Sequence, residues 1–365
     1  MLCWIATAVF SISLFYGDNA ENKVDYFSDV VVRKSYTQGS VATAQLSFQT
    51  PKPFIASRAA KVRLLVVGGV GTHDFFISSR TLSNGVYTVN CLDRNAFLDE
   101  NVELTAEEEK QDYISVTSFL DKCKTRFGYT QAYGVPAWCV NLPVTEVQGK
   151  TYSSVLTTIA TACYGVWCCI HNNVLCFVPS GYYTERLSVE KHTRLDVSNS
   201  NNVMGIVITN SDGTINKKGT GNYKYECLEL ESPLYACNEG YLDDLNDRIL
   251  LKHNNFGNEI VSRDTIVCQT AKLDDIPDTV AIWDFKEYTG KCFEINNMSL
   301  AITTNGIFAQ LSNDNGADEI QTNGRISRAV ADKVAYGTVG KNAVLTKFQG
   351  YMYTEEKEPG DKGNA

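Results

Sequence analysis

The densest group of side chains that could perform chemistry lies between residues 163 and 176. It comprises four thiols and one imidazole: Cys163, Cys168, Cys169, His171 and Cys176. Thiolate and imidazole groups are ligands that zinc prefers, at metal–ligand distances of about 2.0–2.3 Å. Zinc sites are typically built from Cys-x-x-Cys pairs, and this sequence contains none. We therefore expect these thiols to pack in an apolar core, with no bound metal.

The residues Asn172-Asn173 separate two apolar runs and predict a two-residue hairpin turn. In that register Cys169 lies opposite Cys176, and His171 lies on the same face. A zinc site on that face would still need Cys163, from the preceding helical segment, as its fourth ligand. The hairpin is thus predicted to be a structural element, with His171 at its polar edge.

The charged pair Asp93-Arg94 ends a predicted strand and is the second candidate for chemistry. An acidic run follows it from Asp99 to Asp112, with seven carboxylates and a single lysine. Paired carboxylates can act as general acid and base, but acidic runs of this kind are typical of solvated faces and helix starts. Asp274-Asp275 lies in a turn-like segment, and aspartates are common in turns without any catalytic role. We predict no catalytic site at these positions.

Other catalytic patterns are not indicated. The four histidines are His73, His171, His192 and His253, and none sits with Ser or Cys in a strand–turn–helix elbow. The glycine-rich turn at 68–71 lacks the spacing and the following helix of a phosphate loop. The sequence therefore predicts a protein that is not an enzyme and that holds no cofactor.

Composition limits the class of protein. A chain of 365 residues, 44% hydrophobic and 21% charged, is typical of a folded protein of two or three domains. Its net charge of −9 argues against a surface that grips nucleic acid, because such surfaces neutralise phosphates with Lys and Arg. An acidic surface suits a protein past which nucleic acid slides without binding. The twelve cysteines lie mostly in apolar runs, which indicates reduced thiols made in a reducing cytosol.

The N-terminal stretch MLCWIATAVFSISLFYGD alternates apolar and small polar residues. A period of two predicts a strand that faces a core. A signal peptide is the competing interpretation, but no Lys or Arg precedes Lys23 to form its basic region. The uncharged run is also shorter than the ~20 residues of a membrane span. We expect a strand and no membrane insertion.

Residues 1–98 read as a β meander. Its strands are predicted at 4–16, 29–33, 41–49, 61–67, 74–79 and 86–92. Two helices follow, at SVTSFLDKCKTRFGY and TYSSVLTTIATACYG, because apolar residues recur in both at intervals of three and four. Ser115 and Thr151 precede these helices as caps, and Gly128 and Gly165 follow them.

From residue 195 the chain is predicted to be β-rich again. A hairpin around Asp212-Gly213 and a helix at 241–252 come first. Further strands are predicted at 264–270, 279–284, 291–296 and 299–310, with a short helix near 325. The fold class is thus mainly β with an α+β insertion. We expect a first tube-type β-barrel domain at 1–98, a small helical lobe at 99–190, a second barrel at 191–320 and a C-terminal extension at 321–365.

The order of these parts carries a resemblance. The first region contains, in order, the segments VATAQLSF, KVRLLVVGG, a strand that begins at DFFI, and SNGVYTVNCLDRNAFL. The first of these includes an L-x-F strand, Leu46-Ser47-Phe48, and the last strand ends at Asp93-Arg94. This order resembles the first barrel of tail hub proteins of phages and phage-like particles. VQGKTYSSVLTTIATACYGVW is similar to that family's helical lobe, and KLDDIPDTVAIWDF with KCFEINNMSLAITTNGIFAQL is similar to its second barrel. The nearest subtype is that of the defective or contractile phage-like elements of Gram-positive bacteria.

The resemblance implies a structural function. Three copies would form a ring in the virion tail, assembled in the bacterial cytoplasm, that joins the tail tube or baseplate rings to a tip spike. DNA would pass through its lumen without specific binding. In such a protein Asp93-Arg94 would anchor the corner where a barrel strand leaves for the lobe. The alternatives are a secreted or surface β-rich binding protein, a cell-wall hydrolase component of a tail, and a zinc-stabilised binding module.

Overall fold

The structure is a computed structural model. It describes residues 10–16, 20–23, 26–35, 42–49, 59–66, 68–69, 71–189, 191–192, 203–209, 213, 215–220, 227–256, 268–285, 293–295, 297–303 and 306–312. Within these ranges the chain forms 22 β-strands and three α-helices. Residues 1–9, the predicted helix near 325 and the C-terminal extension lie outside the described residues.

The first seven strands are neighbours in one sheet. They are β1 Phe10–Tyr16, β2 Ala20–Lys23, β3 Tyr26–Ser35, β4 Thr43–Gln49, β5 Lys61–Val66, β6 Thr72–Ser83 and β7 Val86–Leu92. Burial alternates along β4, so that Ala44, Leu46 and Phe48 face the core. Asn84-Gly85 joins β6 to β7 with positive φ at both residues, as a tight hairpin requires. The strands predicted between residues 29 and 92 are confirmed, but the meander predicted for residues 1–98 is wrong. Strand β4 pairs with β7 and β1 pairs with β5, so strands that follow one another in the chain are not always neighbours in the sheet.

The lobe follows, with short strands around two helices. Its strands are β8 Tyr113–Ser115, β9 Gln131–Tyr133, β10 Asn141–Pro143, β11 Gly165–Ile170 and β12 Val174–Pro179. The helices are α1 Val116–Phe127 and α2 Tyr152–Ala162, and both predictions are confirmed.

Local signals explain where these two helices begin and end. Thr151 accepts a hydrogen bond from the Ser154 amide at the start of α2, while Ser115 holds the capping position of α1 without a side-chain bond. Gly128 ends α1 with φ +69, a left-handed conformation that glycine adopts without a steric cost. Each helix buries one apolar face, which on α1 includes Phe119 and Cys123.

The remaining elements run from residue 185 to residue 312. They are β13 Glu185–Val189, β14 Lys191–His192, β15 Gly205–Thr209, β16 Ile215–Gly219, β17 Cys227–Leu230, α3 Tyr241–Phe256, β18 Cys268–Leu273, β19 Val280–Phe285, β20 Phe293–Glu294, β21 Asn297–Thr303 and β22 Gly306–Ser312. The hairpin and the helix predicted for this region are confirmed as β15–β16 and α3. The single strand predicted at 299–310 is wrong. Thr303 pairs with Gly306, whose φ of 142° lets the chain reverse there, so that β21 and β22 form a hairpin.

One long sheet unites the two β-rich regions. Its order is β14–β18–β22–β21–β3–β4–β7–β6–β5–β1–β2, eleven strands in a curled half-barrel. The regions join where β3 pairs with β21, with Val32 opposite Leu300. One apolar core lies against this sheet and contains residues of both regions, which we call the barrel core. The predicted fold class, mainly β with a small α+β lobe, is confirmed.

A second apolar core belongs to the lobe. It contains Phe119 and Phe127 of α1, Leu156 and Ile159 of α2, and Leu175 of β12. Residues from later in the chain complete it: Ile206, Ile208, Leu234, Tyr235, Leu245 and Ile249. The β15–β17 sheet and α3 therefore pack on the lobe, and we call this second cluster the lobe core.

Candidate functional site

The Asp93-Arg94 pair lies where the chain passes from the barrel into the lobe. Asp93 follows the last residue of β7, and its side chain accepts a hydrogen bond of 3.0 Å from the amide of Asn95. That bond caps the 3-10 turn Arg94–Phe97. The position predicted for this pair, at the exit from a barrel strand, is confirmed.

Arg94 connects the same corner to α1. Its guanidinium donates a hydrogen bond to the carbonyl oxygen of Phe127 and stands 4.9 Å from the centre of the Phe76 ring. The Tyr129 hydroxyl donates to the Asn95 side chain at 2.9 Å. These contacts fix the direction in which the chain leaves the sheet, which is a positioning role.

The register predicted for the β11–β12 hairpin is wrong. Ile170 pairs with Val174, so three residues, 171–173, span the connection. Asn172 and Asn173 both adopt φ 58°, a left-handed conformation that asparagine tolerates better than most residues. The extra connecting residue shifts the pairing by one position, which turns one strand's side chains to the opposite face.

The corrected register separates the predicted thiol and imidazole group. Cys176 lies opposite Cys168, and Cys169 lies opposite Leu175. Burial raises the pKa of the Cys168 thiol to about 12 and that of Cys176 to about 11, so both are protonated at neutral pH. Within the described part of the chain, no three His, Cys, Asp or Glu side chains stand close enough together to hold a metal ion.

The tip of this hairpin instead docks on the start of β6. The Asn172 side-chain oxygen accepts hydrogen bonds from the Thr72 amide at 3.0 Å and from the Thr72 hydroxyl at 3.2 Å. The Asn173 side-chain amide donates to the Asp74 carboxylate at 3.1 Å. A Cβ atom placed on Gly71 would lie 2.7 Å from the Asn172 side chain, so a larger residue there would displace that side chain.

A charged group surrounds this contact. We define the junction as Lys34, Gly71–Asp74, His171–Asn173 and Asp275–Thr279. The His171 Nδ1 atom lies 3.1 Å from an oxygen of Asp278. Lys34 Nζ lies 3.2 Å from the other oxygen of Asp278 and donates to the Pro277 carbonyl at 3.0 Å. His73 Nε2 lies 3.8 Å from Asp275, so the junction brings together residues more than 200 positions apart in the chain.

Asp74 anchors the barrel side of the junction. Its side chain is 1% exposed, and it contacts Arg63 at 2.6 Å and Lys61 at 3.1 Å. Burial alone would raise the pKa of this carboxyl, but the hydrogen bond from Arg63 and the charge of Lys61 outweigh burial and lower it to about 2. Asp74 is therefore ionised at all moderate pH values.

The two histidines of the junction are shifted in opposite directions. Burial lowers the pKa of His73, because the imidazolium form would lose its hydration. The hydrogen bond with Asp278 raises the pKa of His171, which is more exposed. Burial would raise the pKa of the Asp278 carboxyl, but Lys34 and His171 lower it below its usual value. Sequence reasoning missed this site because it is assembled from distant segments that carry no local motif.

The acidic run lies on the lobe surface, where α1 supplies partners for it. Arg126 contacts Glu100 at 2.9 Å, and Lys122 contacts Glu108 at 2.6 Å. Lys122 and Arg126 also line a groove of about 560 Å³. The prediction of a solvated acidic face is confirmed by this arrangement. No helix among the described residues has both the length and the apolar character needed to cross a membrane.

Comparisons with known proteins place the fold. No protein-family model matches the sequence, and no curated protein matches it. The tail protein from Neisseria meningitidis MC58 aligns with a TM-score of 0.50 at 11% identity, over 83% of this chain and 95% of that chain. Prophage tail protein gp18 from Listeria monocytogenes EGD-e aligns with a TM-score of 0.51 at 10% identity, over 86% of this chain and 97% of that chain. The chain has the fold of these two tail proteins.

Proposed function

We propose that this chain is a structural hub of a phage or phage-like tail. The observation that carries the proposal is the fold of this chain, a curled eleven-stranded sheet with a helical lobe, which aligns with two tail proteins over most of their length. The hub would be a part of the virion tail, assembled in the host cytoplasm. The Gram-positive subtype remains a prediction from the sequence resemblance.

Assembly as a trimeric ring would cover the strands at the two ends of the long sheet. The long sheet begins at β14 and ends at β2. Strand edges left open in a monomer invite uncontrolled pairing. Closed symmetry allows neighbouring copies to cover such edges. The proposed division into barrels at 1–98 and 191–320, a lobe at 99–190 and an extension at 321–365 would give such a ring two β units per copy.

The partners of the ring follow from its proposed place in the tail. One face would meet the tail tube or baseplate rings, and the other would receive a spike or tip protein. The net charge of −9 is compatible with a lumen through which DNA passes without binding. The role would be mechanical and would need no catalytic residue. We therefore propose that the chain is not an enzyme, with a tail-associated cell-wall hydrolase as the rival to be tested.

The deciding experiment is the mass of the native assembly. Native mass spectrometry of the purified protein, alone and extracted from particles, should give three times the chain mass of 40.4 kDa. Negative-stain images of the same sample should show a ring. A strict monomer in both samples would refute the hub. Cell-wall hydrolysis by the purified chain would show that the rival function is correct.

A further inference from the structure

The junction lies between the barrel core and the lobe core. Its contacts are hydrogen bonds and ion pairs, made by His171, Asn172 and Asn173 on the lobe side. An interface of this kind depends on the charge of its members much more than an apolar interface does. The protonation state of its histidines therefore bears directly on how firmly the hairpin is docked.

The charged groups around the two imidazoles come from two elements. His171 faces Asp275 and Asp278 on the segment before β19, and Lys34 on β3. His73, on β6, faces the same three groups. The two rings stand 6.4 Å apart in an edge-on arrangement. A positive charge on one imidazole therefore opposes a positive charge on the other.

We propose that the junction is a proton-operated clamp, in which a protonated His171 and a neutral His73 together hold the lobe hairpin on the barrel. The inference does not depend on the proposed role in a tail. Protonated His171 completes the ion pair with Asp278 at 3.1 Å. Neutral His73 remains buried beneath the hairpin, 7% exposed, without an uncompensated charge.

The pH dependence from His171 has a definite sign. Its pKa is raised in the docked state, so docking is favoured while the group is charged. That contribution is complete below the ordinary histidine pKa of about 6.5 and is lost as pH rises through the raised value. Docking should therefore weaken on the alkaline side.

His73 contributes a pH dependence of docking with the opposite sign. Its pKa is lowered in the docked state, so the undocked state binds the proton more readily. His73 therefore does not disfavour docking above about pH 6.5, the ordinary histidine pKa. Below that pH it disfavours docking increasingly as pH falls toward the lowered pKa of His73. Asp74, with a pKa of about 2, keeps its charge across this range, so the contact with Asn173 does not change. The sum of the two effects is a maximum of docking near pH 6.5, with a decline on both sides.

Hydrogen–deuterium exchange can follow the clamp directly. The protection factor of the hairpin amides in 165–179, corrected for intrinsic exchange, should peak near pH 6.5 and fall several-fold toward pH 5 and pH 8. His171→Gln should remove the alkaline decline and leave the acid one. His73→Gln should remove the acid decline and leave the alkaline one. Glu109→Gln, an exposed carboxylate of the lobe, is the matched control and should keep both declines.

A steric variant separates docking from titration. Gly71→Ala places a methyl group against the hairpin tip and changes no ionisable residue. It should lower the protection factor at every pH while the maximum stays near pH 6.5. Carbon-13 NMR of the histidine rings gives an independent measure, since the chain has only four histidines. His171 should titrate above the ordinary pKa and His73 below it, and Asp278→Asn should return the pKa of His171 toward its ordinary value.

Several results would overturn the clamp. A protection factor in the hairpin that is flat or changes in one direction between pH 5 and pH 8 would exclude it. The clamp is equally excluded if His171→Gln keeps the alkaline decline, or if both imidazoles titrate on the same side of the ordinary value. Should His73→Gln fail to fold, the NMR titration of His73 in the unmodified chain decides the acid limb.

Discussion

Replacing Asp74 with asparagine removes one negative charge from the junction and keeps the size of the side chain. The carboxyl has a pKa of about 2 in the folded chain against an ordinary 3.8, through Arg63 and Lys61. One pKa unit corresponds to about 1.4 kcal/mol, so this shift corresponds to about 2 kcal/mol of unfolding free energy. The loss of one partner from a fully buried ion pair costs about 3–5 kcal/mol. We expect the smaller figure because Arg63 is 32% and Lys61 is 22% exposed, and water can solvate both cations.

The pH dependence of this loss can be measured by urea unfolding followed by tryptophan fluorescence. A lowered carboxyl pKa stabilises the fold above the unfolded value of 3.8, and that stability is lost as pH falls through about 2. The difference between the unmodified chain and Asp74→Asn should therefore be about 2 kcal/mol at neutral pH and shrink as pH falls from about 4 to about 2.

A matched control tests whether burial is the cause. Asp121 is 66% exposed and lies 3.5 Å from Lys124 in the next turn of α1, so Asp121→Asn should cost about 0.5 kcal/mol or less. An equal cost for the two variants, or a cost for Asp74→Asn that does not change with pH, would refute the argument. An equal cost would mean that the cluster around Asp74 adds no more than an ordinary surface ion pair. A cost independent of pH would mean that the charge of Asp74 is not its source.

Two further predictions concern the corner and the thiols. Asp93→Ala removes the cap of the turn after β7 and should lower the unfolding free energy by about 1–2 kcal/mol. Fewer particles should assemble, and those that form should have normal activity. Normal assembly with a specific loss of activity would contradict a purely structural role for this corner. All twelve cysteines should react with an alkylating reagent in denaturant without prior reduction, as intact-mass measurement would show; a stable disulfide or stoichiometric zinc would refute the reduced, metal-free state.

The sequence alone was sufficient for the elements whose signals are local. The two lobe helices follow from apolar residues at intervals of three and four, and their ends follow from Thr151 and Gly128. The strands β3 to β7 follow from alternation and from turn residues such as Asn84-Gly85. In each case the interactions that decide the structure lie within a few residues of one another along the chain.

Only the tertiary structure decided the hairpin register and the partners of each element. The pair Asn172-Asn173 is compatible with a two-residue turn, but both residues adopt left-handed backbone inside a three-residue connection, and the contacts with Thr72 and Asp74 hold them there. In the same way, β3 pairs with β21, and residues after 203 complete the lobe core. Pairings between distant segments depend on which apolar faces and which charges meet after the chain has folded. No local pattern encodes that choice, and the junction of Lys34, His171 and Asp278 is its result.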